Sequence, residues 1–374
     1  MLYMPIIGLF YAENGLSVAD LFILQAGYSV ASGVFEIPSG YMADVWGRKK
    51  TLVLGSIMGA IGFSVYVVHP TFYYLLIAEI IMGIGQSFIS GSDSAMLYDS
   101  LFHVNKEKKY LKLEGRITAL GGFAETAAAV LGGTIAVMLS LHAVFVVQVI
   151  IAACAIPAAL LLIEPPRVKL VQKRSLRAIF SISSYALFKH TQLSSAILLS
   201  SVIGTATLTM AWLIQAYVVE HAFSEKNVSV LWVALNLTVA LVSLVAAYFM
   251  KKYGLHKLLL SIVLVVPFTY FIMGLSPVVV VIPLLFVFYF VRGYATPVLK
   301  DLIQVHCDSD IRATVLSVRG LIIRISFGII APLIGYFSRV FSLDTAILII
   351  AGVFSLSIGA IYIQFVMQKK QNPF

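Results

Sequence analysis

Apolar residues come in long blocks separated by short polar breaks, and the blocks share one size. Runs near 21–43, 51–69, 71–98, 117–139 and 142–163, then 193–219, 228–250, 256–275, 277–298, 317–338 and 345–367, each reach about the 20 residues that a helix needs to cross a bilayer. A further apolar stretch over residues 1–12 precedes Glu13-Asn14-Gly15. At about 1.5 Å per residue it covers only part of the membrane, so a natural start upstream of Met1 is expected. Its flanks carry no basic n-region or small-residue cleavage site, which argues against a signal peptide. The pattern predicts an all-α polytopic membrane protein with about twelve transmembrane helices, the first one short.

Composition agrees with this reading, since 60% apolar and only 11% charged residues leave too little polar surface for a water-soluble domain. The net charge of +9 does not indicate nucleic acid, because Lys and Arg are dispersed among the breaks instead of gathered on one face. Of the 26 basic residues, 22 fall on one side of the predicted membrane, with Lys226 and Arg339 opposite and Arg292 and Arg324 inside spans. The positive-inside rule then places both termini in the cytoplasm. Short loops fit a bacterial inner membrane. Cys154 and Cys307 offer neither a disulfide framework nor metal-ligand spacing.

One break organises the rest. Gly40-Tyr41-Met42-Ala43-Asp44-Val45-Trp46-Gly47-Arg48-Lys49-Lys50 sets an acid between two glycines and follows it with a basic triplet. The glycines permit a tight turn and close helix approach. Ala247–Lys257 repeats the pattern 207 residues later, with Gly254 matching Gly47 while Asp44 becomes Lys251 and Arg48 becomes Leu255. Two related halves are expected: residues 1–164 and 193–374 as six-helix bundles, joined by a cytoplasmic linker at 165–192 that begins with helix-stopping Pro165-Pro166. Within the bundles, Gly55, Gly59, Gly62, Gly352 and Gly359 are expected at close helix contacts.

Function should reside in polar residues inside the spans, because a charge near mid-bilayer costs at least about 2.5–3.5 kcal/mol. Glu79, Gln86, Ser90 and Asp93 recur at helical intervals in the fourth span and are expected to line an aqueous path. Glu125 lies mid-way in the fifth. No basic residue sits within four positions of Glu79 or Glu125, so each must find a partner on another helix, face water, or carry a proton. Both are candidates for proton coupling. Gln215, Tyr217, Asn236, Arg292 and Arg324 supply the candidate substrate cavity in the second half. Asp99 or Asp93 is expected to pair with Arg48 and Lys49 at the cytoplasmic edge, and Glu36 is expected near Arg48 or Arg319.

The loop from Gly40 to Lys50 resembles the signature loop between the second and third helices of the major facilitator superfamily, with glycine, acid, glycine and basic residues at that family's spacing. The resemblance implies two pseudo-symmetric bundles that rock about a central cavity, a small-molecule substrate and no cofactor. It also implies that Asp44 and Arg48 close the cytoplasmic side, Asp44 meeting the start of the eleventh helix near Ala313–Ser317. Two departures bear on direction. Where members often carry an arginine in the fourth span this chain has Glu79, and of the Gly-Pro…Gly-Gly pattern of the family's antiporters only Gly132-Gly133 remains, after Ala128-Ala129. The expected function is proton-coupled efflux of a small amphiphilic molecule by a monomer, with proton-coupled uptake of a nutrient or metabolite, or a transporter-like sensor, as alternatives. Neither His-Glu-x-x-His, Gly-x-Ser-x-Gly nor a phosphate-binding lysine loop occurs, so an enzyme is not expected.

Overall fold

The computed structural model describes residues 1–90, 92–106, 110–165, 183–306 and 312–371. Its first helices are α1 (Ile7–Glu13), α2 (Val18–Trp46), α3 (Arg48–Val68), α4 (Phe72–Ser90), α5 (Asp93–His103), α6 (Tyr110–Met138) and α7 (Leu141–Leu161). A π-helical turn at Tyr185–Lys189 leads into α8 (Thr191–Glu220), α9 (Glu225–Leu244), α10 (Ala246–Leu275), α11 (Val278–Val305), α12 (Arg312–Val340) and α13 (Leu343–Gln371). Among the described residues there is no strand. Among the described residues eleven helices, all but α1 and α5, are long and apolar enough to cross a membrane. The protein is therefore an integral membrane protein.

Packing divides the chain into two compact units, Met1–Val171 with Val218–Val233, and Gln172–Tyr217 with Ala234–Phe374. In the first, α4 packs on α2 and α3, and α3 also packs on α7. Small residues set the spacing. A Cβ on Gly55 would lie 2.7 Å from the Gly85 carbonyl oxygen, one on Gly62 2.2 Å from Met82 Cγ, and one on Gly83 2.4 Å from the Tyr28 carbonyl oxygen. In the second unit α10 packs on α11 and α13, with Gly274 seated against Asp344 and Leu348. Gly59, Gly352 and Gly359 have nothing within 4 Å of a Cβ, so a side chain has room at these three, although the Gly59 backbone N does lie 3.6 Å from a Cβ built on Gly85.

The repeat is visible in the backbone. Gly47 (φ 113°, ψ 149°) joins α2 to α3, and Gly254 (φ 77°, ψ 159°) makes the matching kink within α10. Both lie in the left-handed region, where a side chain is strained. The offset of 207 recurs in the ends of Glu13 and Glu220, the starts of Val18 and Glu225, and the ends of Val68 and Leu275. It also matches two caps: Ser17 Oγ accepts from Asp20 N at 3.2 Å, and Ser224 Oγ accepts from Asn227 N at 3.4 Å. Gly40, by contrast, sits inside α2 with nothing near a Cβ, so it makes neither a turn nor a close approach.

The fourth span is shorter than its apolar run. Helix α4 ends at Ser90 and α5 starts at Asp93, with Ser92 buried at the junction and its hydroxyl 2.8 Å from that of Thr51. Asp93 is consequently on a different helix from Glu79, Gln86 and Ser90. The single polar stripe expected through all four is broken, because the helix that carries the first three ends at Ser90 and Asp93 begins another.

Candidate functional site

Glu79 lies inside the first unit, only 3% exposed. Three donors from three other helices converge on its Oε1. Tyr11 of α1 donates at 3.1 Å, Gln25 Nε2 of α2 donates at 2.9 Å, and the Tyr66 hydroxyl of α3 makes a short hydrogen bond to the same oxygen. The two tyrosine hydroxyls are themselves 2.6 Å apart. Two hydroxyl protons thus serve three oxygen contacts: either Tyr11 donates to Tyr66 and Tyr66 to Glu79, or Tyr11 turns to Glu79 directly. Among the described residues Oε2 accepts no hydrogen bond and no cation pairs with the carboxyl group. A proton can join or leave Oε2 without breaking the network on Oε1.

Aromatic packing makes this centre rigid. Tyr66 stacks on Phe145 with ring centroids 5.0 Å apart and 4° between planes, and Phe10 sits 4.0 Å from Phe145. Tyr3 and Phe63 complete the surround. Glu79 was expected on the wall of an aqueous path and is instead enclosed, because its face of α4 is the one buried against α2 and α3. Gln86, two turns on, is half-buried, and Glu125 is exposed on α6 and makes no hydrogen bond or ion pair among the described residues. Tyr11, Gln25 and Tyr66 had not been picked out from the sequence. Gln25 alone gave a signal, as an amide inside an apolar run.

A second cluster gathers where α2 meets α3. Arg48 Nε lies 3.4 Å from Asp99 Oδ2, a pairing expected from the charges of the loop. Glu164 was read only as the end of the sixth span, yet its carboxylate receives Arg48 N at 2.9 Å and Lys49 N at 2.8 Å. It thereby fills two open N–H groups at the positive end of α3. The side chain of Asp44 lies outside the described residues, as does that of Arg312, and Cys307 does also. Asp93 is exposed on the first turn of α5.

In the second unit Gln215 and Tyr217 are buried on α8, while Asn236 on α9, Arg292 on α11 and Arg324 on α12 are half-buried. Arg292 rests over the Tyr289 ring at 5.2 Å. Arg319 Nε donates to Ser200 Oγ at 2.5 Å, tying α12 to α8. Among the described residues no group of three or more His, Cys, Asp or Glu is placed to hold a metal ion.

The sequence model of the Major Facilitator Superfamily matches residues 1–332. The chain belongs to that superfamily. It is a transporter of that fold and not an enzyme. A crystal structure of a mutant of the nucleoside transporter NupG superposes over 97% of this chain and 95% of that one, at a TM-score of 0.80 and 16% identity. A bacterial homologue of the human lysosomal transporter Spinster, inward-facing and occupied, covers 98% and 92% at 0.76 and 14%. A POT family transporter in complex with 5-aminolevulinic acid covers 96% and 92% at 0.74 and 11%. At these identities the likeness is one of fold. A search of curated proteins finds no significant match.

Proposed function

We propose that this superfamily member is a proton-coupled secondary transporter that exports a small amphiphilic molecule by alternating access, with Glu79 as the group that takes up and releases the proton. The observation that carries the reading is the Glu79 carboxyl group, buried among apolar and aromatic side chains with three donors on one oxygen and none on the other. An acid kept inside a membrane helix without a cationic partner is costly unless it is used. Enclosure also restricts what reaches it: a proton can, and an organic solute cannot without α4 moving from α2 and α3.

In this account residues 1–164 and 193–374 rock as two bundles joined by 165–192, in the inner membrane of a bacterium, with both termini cytoplasmic and the monomer as the working form. Asp44, Arg48 and Asp99 close the cytoplasmic side. The surviving Gly132-Gly133 pair favours export. Uptake of a small polar metabolite is the second reading, since the solved structures of like fold include one named a nucleoside transporter and one in complex with 5-aminolevulinic acid.

Accumulation of a panel of drugs, dyes and metabolites in efflux-deficient cells tests the direction. Export predicts lower accumulation with the wild type, abolished by Glu79→Gln and by collapsing the proton gradient. Raised accumulation overturns export in favour of uptake, and a panel in which nothing moves removes the support for an exported amphiphile.

A further inference from the structure

We infer that the transported molecule carries an anionic group, a carboxylate or phosphate, and that Arg292 binds it beside the ring of Tyr289. The inference rests on the reading of the chain as a transporter of a small molecule and narrows its substrate class. It does not depend on proton coupling at Glu79.

Arg292 lies within the apolar span Val278–Ile303. Fourteen residues separate it from Val278, about 21 Å along the helix at 1.5 Å per residue. Ile303 lies eleven residues further on, so the cation sits inside the span and short of both its ends. Among the described residues no carboxylate stands within ion-pair distance of it, and its contact is the face of Tyr289 at 5.2 Å. A cation over an aromatic face keeps its edge N–H groups pointing elsewhere, and guanidinium has five of them in a fork that matches two oxygens of a carboxylate or phosphate.

The surroundings are built to hold that geometry. Tyr289 is fully buried, and the partner within reach of its hydroxyl is the Arg292 side chain itself. Phe288 packs beside it and Tyr270 packs on Phe288, and the Tyr270 hydroxyl donates to the Ala206 carbonyl at 2.5 Å, pinning α10 to α8. Thr209 on α8 has a buried hydroxyl without a partner. Among the described residues the second unit therefore offers a guanidinium held by a tyrosine with no carboxylate to neutralise it, and a buried threonine hydroxyl left unfilled. The first unit's buried acid, by contrast, has its Oε1 enclosed by donors and no room for an organic cation. The charge asymmetry favours an anion as the ligand of this half.

Binding by purified full-length protein in nanodiscs of phosphatidylcholine alone tests this, using matched pairs of acid and amide: benzoate and benzamide, indole-3-acetate and indole-3-acetamide, 5-aminolevulinate and its amide. The expected result is that at least one acid binds the wild type at least about tenfold more tightly than its amide, a difference of about 1.4 kcal/mol. Arg292→Gln should erase the preference, and Arg292→Lys should keep part of it, since charge remains while the planar fork is lost. Binding is read at one pH with no gradient across the membrane, so it reports this preference without any coupling step and separates this proposal from the fate of the coupling reading. The Arg292→Lys comparison carries the test if Arg292→Gln does not fold. Equal binding of every acid and amide overturns the proposal, as does a preference that survives in Arg292→Gln. If added phosphatidylglycerol displaces every acid from the wild type but not from Arg292→Gln, the anion at Arg292 is a lipid headgroup and the proposal fails.

Discussion

Replacing Gly83 by alanine tests whether Glu79 depends on the close seating of α4. Gly83 lies one turn beyond Glu79, and a Cβ there would come 2.4 Å from the Tyr28 carbonyl oxygen, 3.1 Å from Ala31 Cβ and 3.2 Å from Ser32 N. Backbone atoms of α2 cannot turn aside as a side chain would. Restoring ordinary contact requires α2 and α4 to part by about 1 Å. The Gln25–Glu79 hydrogen bond, 2.9 Å long between these same helices, would then open to about 3.9 Å, beyond hydrogen-bond reach. Overpacking costs about 1–3 kcal/mol and loss of a bond to a charged acceptor about 1.5–3 kcal/mol, against about 1 kcal/mol regained in helix propensity. The net loss is about 1.5–5 kcal/mol, together with impaired proton-driven transport. Thermal unfolding of the purified protein reads the first effect and transport in proteoliposomes the second. Gly59→Ala, where nothing lies within 4 Å, is the control and should be as stable as wild type. Equal melting and equal transport in the two variants would refute the argument that packing at Gly83 positions the acid.

Gly47→Ala and Gly254→Ala should each lose about 1–2 kcal/mol, because both replace a glycine at positive φ; unchanged melting in either would remove the strain assigned to that turn. Glu164→Gln should destabilise the start of α3 by about 1 kcal/mol, as one amide cannot accept at both Arg48 N and Lys49 N, and hydrogen exchange at those two amides would show it as faster opening. Unaltered exchange would mean the carboxylate is not a cap in solution. Exchange of one inward proton for one outward monoanion moves two positive charges inward, worth about 4.6 kcal/mol per 100 mV. An imposed inside-negative potential in proteoliposomes should therefore speed export, and indifference to potential would contradict that stoichiometry.

Much of the fold was legible because membrane helices announce themselves by length and hydropathy, and the glycine repeat marked equivalent turns through backbone geometry that only glycine adopts freely. Gly47 and Gly254 are the clearest case. The break between α4 and α5 was hidden, since Gly91 and Ser92 lie inside an unbroken periodicity and nothing in polarity alone tells a packed serine from a helix end. Glu79 stood out as an acid without a nearby base. Its partners did not, because Tyr11, Gln25 and Tyr66 come from three other helices whose relative rotation is set by packing at Gly62 and Gly83. Glu164 was missed for a similar reason: a cap formed across 115 positions of sequence leaves no local pattern. Charge sign and membrane side narrowed the partner of Arg48 to Asp99 or Asp93, and the structure places Asp99 3.4 Å from it.

Proton coupling at Glu79 is tested most directly in proteoliposomes carrying wild type or Glu79→Gln under a pH difference of one unit, using a compound that the cellular panel shows to be moved. One proton per substrate stores about 1.4 kcal/mol in that difference, enough for a substrate gradient of about tenfold. The wild type should build that gradient. The variant should build none, while still exchanging labelled for unlabelled substrate at equal concentrations on the two sides. A Glu79→Gln protein that sustains the wild-type gradient would contradict the central claim.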